Sequence, residues 1–154
     1  MIKEVQLYKP RRSPKKASKK RVKVKKGKLP SLSKLKRETD RLHSLFIRAK
    51  YPKECYTCRA KGKVLQCGHF ISRLYLATRW EEDNTRPQCV GCNIWGKGKP
   101  LDFEERLKEE LGPYRVEWMK LSRKDLLKPT RAFYQDLIQR YTQALKDLDE
   151  KVVA

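Results

Sequence analysis

Histidine is scarce in this 154-residue chain, which has two, and no stretch approaches the roughly 18 to 20 consecutive apolar residues that a bilayer-spanning helix needs. The first shortage confines any imidazole chemistry to His43 and His69. The second excludes a membrane-spanning helical protein. No signal-peptide core follows Met1, so a soluble chain in a reducing compartment is expected. Acid is also short: 18 Asp plus Glu stand against 39 Lys plus Arg, a net charge of +21 and a pI near 10.0. Solubility needs far less, so the expected partner is a polyanion, bound through phosphates with release of counterions. An anionic membrane surface fits less well, because no basic helix carries a continuous apolar face. The length suits one compact domain. With 37% charged and 38% hydrophobic residues, a modest core forms only if part of the chain stays outside it.

The charge is uneven. Residues 1–30 hold 13 Lys/Arg and a single acid, Glu4, a net of +12. With Val22 and Val24 the only sizeable apolar side chains between Lys9 and Lys28, this segment cannot offset its chain entropy by burial. It reads as a basic tail, disordered alone and ordered, if at all, on nucleic acid.

From Ser31 the pattern turns helical. Leu35, Leu42, Leu45, Phe46 and Ala49 recur near a period of 3.6, with Ser31 or Ser33 as N-cap and Pro52 as a stop, which predicts an N-terminal helix within residues 31–52. Residues 53–100 carry glycines, short apolar runs such as Val64-Leu65 and Phe70-Ile71, and most of the cysteine, and suit short strands and turns. Over residues 101–154 three helical pieces follow: Leu101 to Leu111, Tyr114 to Leu121, and Thr130 to about Asp149, the last with Phe133, Leu137, Ile138, Tyr141, Leu145 and Leu148 on one face. The fold class expected is α+β.

Cys55-Tyr56-Thr57-Cys58 and Cys89-Val90-Gly91-Cys92 are two CxxC pairs, the spacing at which a tight turn aims two thiolates at one tetrahedral metal. Four thiolates make a closed structural Zn2+ site. Redox motifs use one such pair, and a disulfide framework needs an oxidising compartment. The 30 residues between Cys58 and Cys89 exceed a compact zinc ribbon, so the insert must form something of its own. The fifth cysteine, Cys67, reads as a small buried strand residue, with an alternative role as a ligand beside His69.

The insert runs Gln66-Cys67-Gly68-His69-Phe70-Ile71-Ser72-Arg73, then Arg79-Trp80, then Asp83-Asn84, and the second pair leads straight into Asn93. A histidine between two zinc knuckles, followed by Asn84 and Asn93, gives the order of an HNH-type nuclease in an H-N-N variant.

On these residues, with Gly112-x2-Arg115-Val116-Glu117-Trp118 beyond them, the chain resembles the NinG (Rap) recombination nucleases of lambdoid phages over roughly Lys34 to Leu145. The resemblance implies a zinc-stabilised ββα-metal (HNH-like) core flanked by helices, cutting Holliday junctions and D-loops in the cytoplasm of a phage-infected bacterial cell. An Asn directly after the last zinc cysteine is also similar to junction-resolving enzymes of the endonuclease VII type, which implies that Asn93 binds catalytic Mg2+. The chain departs from the pattern twice. Many HNH nucleases carry a metal-binding Asp or His where Gly68 stands, and the family's Ser-Gly-Asn loop is replaced by Trp95-Gly96-Lys97-Gly98-Lys99.

Phosphodiester hydrolysis needs a base for water and a cation for the developing charge. The candidate catalytic residues are His69 as general base, Asn84 orienting its ring, and Asn93 as an oxygen ligand to Mg2+ or Mn2+. With Gly68 before it, His69 is alternatively a metal ligand itself. Asn84 as a turn residue and Asn93 as a helix N-cap are the plainer readings. His43, beside Leu42 and Leu45, reads as structural. Arg73 and Arg79 are candidate phosphate forks, with surface ion pairs to Glu81 or Glu82 as the alternative, and Lys97 and Lys99 are candidate backbone contacts. Paired incision of a junction suggests a homodimer. A noncatalytic zinc-ribbon module binding DNA or RNA is the competing class; it explains the charge and the cysteines but not the long insert.

Overall fold

The structure, a computed structural model, describes residues 29–153; the basic tail expected over residues 1–30 lies outside them except for its last two positions. Helix α1 (Leu32–Lys50) starts where Ser31, in an extended conformation, accepts the Lys34 N–H, and ends at Tyr51 ahead of Pro52. Its buried face is Leu35, Thr39, Leu42, His43, Phe46 and Ile47. Leu45 is half-buried and Ala49 exposed, so the core stripe includes two polar residues that apolar periodicity passes over.

Two antiparallel strands follow, β1 (Leu65–His69) and β2 (Thr85–Cys89), in a register that pairs Leu65 with Cys89 and His69 with Thr85. The strand thus lies between the two apolar runs that suggested it, and Val64 is left exposed. A single π-helical turn (Gly91–Trp95) continues directly from β2. Three helices complete the chain: α2 (Pro100–Leu111), α3 (Pro113–Ser122) and α4 (Arg131–Val153). Gly112, at φ 83°, makes the reversal between α2 and α3 that a side chain would resist.

The core has two apolar centres. In one, Leu35, Leu42, Phe46 and Ile47 of α1 meet Tyr134, Leu137 and Tyr141 of α4, with Trp80 from the β1–β2 connection between them. The Tyr141 hydroxyl donates to the Trp80 carbonyl at 2.7 Å, satisfying both polar groups inside this apolar layer. In the other, Ile71 packs with Phe103 and Leu107 of α2 and Val116 and Met119 of α3. The 15-residue connection between the strands is therefore held from both sides, by Trp80 toward α1 and α4 and by Ile71 toward α2 and α3. A loop of that length stays ordered because it contributes to both cores.

Candidate functional site

The four paired cysteines converge. Cys55 and Cys58 lie on the turn before β1, Cys89 closes β2, and Cys92 is on the π turn; their sulfurs all lie within 4.8 Å of one another. Cys58 Sγ and Cys89 Sγ are 3.9 Å apart, close to the edge of about 3.8 Å that a tetrahedron with Zn–S of about 2.3 Å requires. The Cys92 N–H donates to Cys89 Sγ at 3.4 Å. Burial opposes ionisation of Cys55, yet the backbone at Cys58 and Cys89 and the Thr57 hydroxyl bring its thiol down to about 6. The donor set and its spacing fit zinc, and these four cysteines can hold one ion. Cys67 stays apart, on β1 against the α1–α4 core, where burial pushes its thiol up to about 12.

Beside this centre is a cavity of about 410 Å³ lined by Gln66, Cys67 and His69 of β1, Asn93 and Ile94 of the π turn, Arg73, and Asp40, His43 and Ser44 of α1. The structure thus brings His69 and Asn93 to one cavity although 23 residues separate them in sequence. The chain then binds each side chain so that one atom stays free. His69 Nε2 lies 3.2 Å from the Arg79 carbonyl, an acceptor only, so Nε2 carries the proton and Nδ1 keeps the lone pair. Burial, with Arg73 and Arg79 adding positive charge, lowers the His69 pKa to about 4 against the pull of the Arg79 and Cys67 carbonyls. At neutral pH the ring is therefore a neutral base. Asn93 Nδ2 donates to Gln66 Oε1 at 2.8 Å, which turns the amide so that Oδ1 is its free donor to a cation.

His43 is 2% exposed. Thr85 Oγ1 gives its single proton to the Glu81 and Glu82 carbonyls, so the His43 Nε2–H donates to Thr85 at 3.1 Å, and Nδ1 is buried without a partner. Burial, then the nearby His69, lowers the His43 pKa to about 3.

Two expected roles are corrected. Asn84 does not orient the His69 ring: its Oδ1 accepts from the Ile71 N–H at 2.6 Å, its Nδ2 donates to the Ile71 and Thr78 carbonyls, and it is wholly buried. Its amide is used to pin the two ends of the inter-strand connection, and the Arg79 carbonyl orients the ring instead. Arg79 is not an open phosphate fork. Its side chain is 7% exposed, Nε and Nη2 donate to both oxygens of Asp40 at 2.9 and 2.7 Å, and Nη1 bonds the Arg73 carbonyl. The alternative of surface pairs with Glu81 or Glu82 also fails for Arg79. Arg73, Lys97 and Lys99 are exposed, with Arg73 3.8 Å from Asp40.

Gly68 has a steric cause. A Cβ there would lie 2.7 Å from Cδ of Gln88, whose buried amide donates to Thr57 Oγ1 and the Gly98 carbonyl. The space that an Asp or His ligand would occupy is filled by Gln88. Asp40, Gln66 and Gln88 were missed in the sequence: Gln66 and Gln88 stand directly before Cys67 and Cys89 but carry no base or metal-ligand chemistry of their own, and Asp40 lies on a helix far from both.

The family model described as Bacteriophage Lambda NinG protein matches residues 2–151. The chain belongs to the NinG family. No curated protein and no solved structure matches it. For this NinG-family chain the cysteine tetrad and the cavity beside it are both built around one short hairpin and the turn that follows. Among the described residues no helix is long and apolar enough to cross a membrane.

Proposed function

We propose that this NinG-family chain is a zinc-stabilised endonuclease of the HNH type that cuts branched DNA, such as Holliday junctions and D-loops, with Mg2+ or Mn2+. The observation that carries the reading is the pairing of a free His69 Nδ1 with a free Asn93 Oδ1 at one cavity beside the cysteine tetrad. The hairpin and the turn after it then serve as the ββα-metal core.

His69 is the general base: held by the Arg79 carbonyl, its Nδ1 takes the proton from the water that attacks phosphorus. A divalent ion, when bound, supplies charge stabilisation at the phosphate and the leaving oxygen. Asn93 Oδ1 would hold it, and an oxygen donor suits Mg2+, which keeps most of its shell for water and phosphate. Arg73, Lys97 and Lys99 grip the backbone without reading bases, and residues 1–30 add affinity through their charge. Arg79 and Asn84 position the site and do not touch DNA. Paired incision calls for two copies, so a homodimer on the junction belongs to the reading, as does action in the cytoplasm of a bacterial host.

The test is incubation of the zinc-loaded protein with a labelled four-way junction and a linear duplex, with and without Mg2+ or Mn2+. Metal-dependent cleavage of the junction, lost in H69A, is expected. No cleavage of junction, D-loop or flapped DNA with any divalent ion leaves a noncatalytic zinc module that binds nucleic acid.

A further inference from the structure

Trp95 is 81% exposed and belongs neither to the two apolar centres nor to the cysteine cluster, whereas Trp80 is 4% exposed and Trp118 48%. Water around so large an apolar surface is unfavourable unless a ligand removes it. The backbone that carries the indole is also held in a defined place. The Gly96 N–H bonds the Gly91 carbonyl at 2.7 Å, the Lys97 N–H the Ile94 carbonyl, the Gly98 N–H the Cys92 carbonyl and the Lys99 N–H the Gly96 carbonyl, while Gln88 ties the Gly98 carbonyl to the hairpin. A side chain on such a loop loses little freedom on binding.

Its surroundings indicate what it binds. Asn93 and Ile94, the two residues before Trp95, line the cavity that holds His69, and Lys97 and Lys99, exposed and at φ 52° and 50°, follow it. A flat aromatic side chain on the same short loop as two exposed cations is a pattern on which an unstacked base can rest while its phosphates are neutralised. Within a linear duplex both faces of every internal base pair are covered by neighbours. Apart from the two ends of a linear duplex, a base face is free only at a branch, a flap or a single strand.

We propose that Trp95 stacks on a nucleobase left exposed at a DNA branch point and so selects branched over linear DNA next to the candidate cleavage site. This rests on the nuclease reading for its biological meaning but is tested by binding alone.

The experiment compares full-length, zinc-loaded wild type, W95A and W95F without added Mg2+ or Mn2+, so that DNA stays intact. Each is titrated with a flapped duplex carrying 2-aminopurine at the branch and with a linear duplex carrying the same base internally. Wild type is expected to quench the branch 2-aminopurine and not the internal one. W95A should lose that quench and about tenfold in branched-DNA affinity, with linear affinity within about twofold, and W95F should keep most of both signals. Zinc content and melting temperature check that W95A folds; should it not, the wild-type contrast between the two probe positions decides. Absent quenching at the branch, or equal loss of affinity for both DNAs, overturns the proposal. If branched DNA is never cleaved yet the quench depends on Trp95, the nuclease reading falls and the stacking surface stands. If cleavage occurs and W95A keeps wild-type selectivity, the reverse holds.

Discussion

Asp40 on the first helix grips Arg79 through both carboxylate oxygens, at 2.9 and 2.7 Å, and the carbonyl of that same Arg79 receives the Nε2–H of His69. Asp40 also accepts the Trp80 indole N–H at 2.9 Å. Burial works against its charge, but Arg79, Trp80 and Arg73 together hold its pKa below the ordinary carboxylate value. The first helix therefore fixes the ring that the hairpin carries.

Removing Asp40 leaves a buried guanidinium without its partner, and breaking such a pair costs about 3 kcal/mol or more. D40A should lower the melting temperature and disorder the Arg79 carbonyl, whereas D40N, which keeps an acceptor, should lose less. Melting and the His69 ring resonances in NMR check this. A D40A protein with wild-type stability and unchanged His69 signals would show that the pair holds nothing in place.

Gly68 and Gln88 give a second expectation. G68A must displace the Gln88 amide from Thr57 and Gly98, and overpacking of this kind costs about 1–3 kcal/mol. The cost should shrink in the G68A/Q88A double variant, where the space is open. Chemical denaturation of the four proteins measures the coupling; additive effects would contradict the contact.

Much of this was legible in the sequence and some was not. The helices announced themselves through capping and apolar period, with Ser31, Pro52 and Gly112 at or near their predicted places, and the tetrad through its spacing. What could not be read was how polar residues would be used. Thr39, Asp40 and His43 interrupt the apolar stripe of α1, so periodicity treats them as incidental, and only the folded chain shows His43 bonded to Thr85 of β2 and Asp40 to Arg79 and Trp80. Asn84 carried the right spacing for an active-site amide, yet spacing cannot tell a side chain that orients a ring from one that pins two backbone ends. Arg79 read as an open cation or a surface partner of Glu81 or Glu82, the nearest acids in sequence; its actual partner lies 39 residues earlier.

Zinc should support the hairpin more than the helices, because the α1–α4 cluster includes none of the four cysteines. Stripping the metal, or C58S, is expected to remove amide-exchange protection from β1 and β2 while α1 and α4 keep most of theirs. One zinc per chain by elemental analysis is the companion result. Zinc-free protein with a fully protected hairpin would remove the metal from the account.

Acid should destabilise the fold through His43. Its folded pKa of about 3 lies below the ordinary 6.5, so the unfolded chain binds the extra proton between those values. Stability from this group is complete above pH 6.5 and is lost as pH falls toward 3, by at most about 1.4 kcal/mol per pH unit. H43F cannot take up that proton. Its stability should fall less steeply between pH 6.5 and 5 than the wild type's, as followed by urea unfolding. Parallel slopes would mean that His43 is not buried neutral.

Residues 1–30 carry a net +12 of the +21 total. Their deletion should flatten the slope of log affinity against log salt for junction and duplex alike, while cleavage at low salt survives. An unchanged slope would assign the phosphate contacts to the described domain alone.

The most direct test of the central claim is junction cleavage by H69A and N93A across a Mn2+ titration, with junction affinity measured in parallel. The reading predicts that both variants bind nearly as wild type and cut poorly. High Mn2+ should restore part of N93A activity and none of H69A activity, because mass action refills a weakened metal site but cannot replace a base. Recovery of H69A by Mn2+, or wild-type cleavage by N93A at low metal, would contradict those assignments.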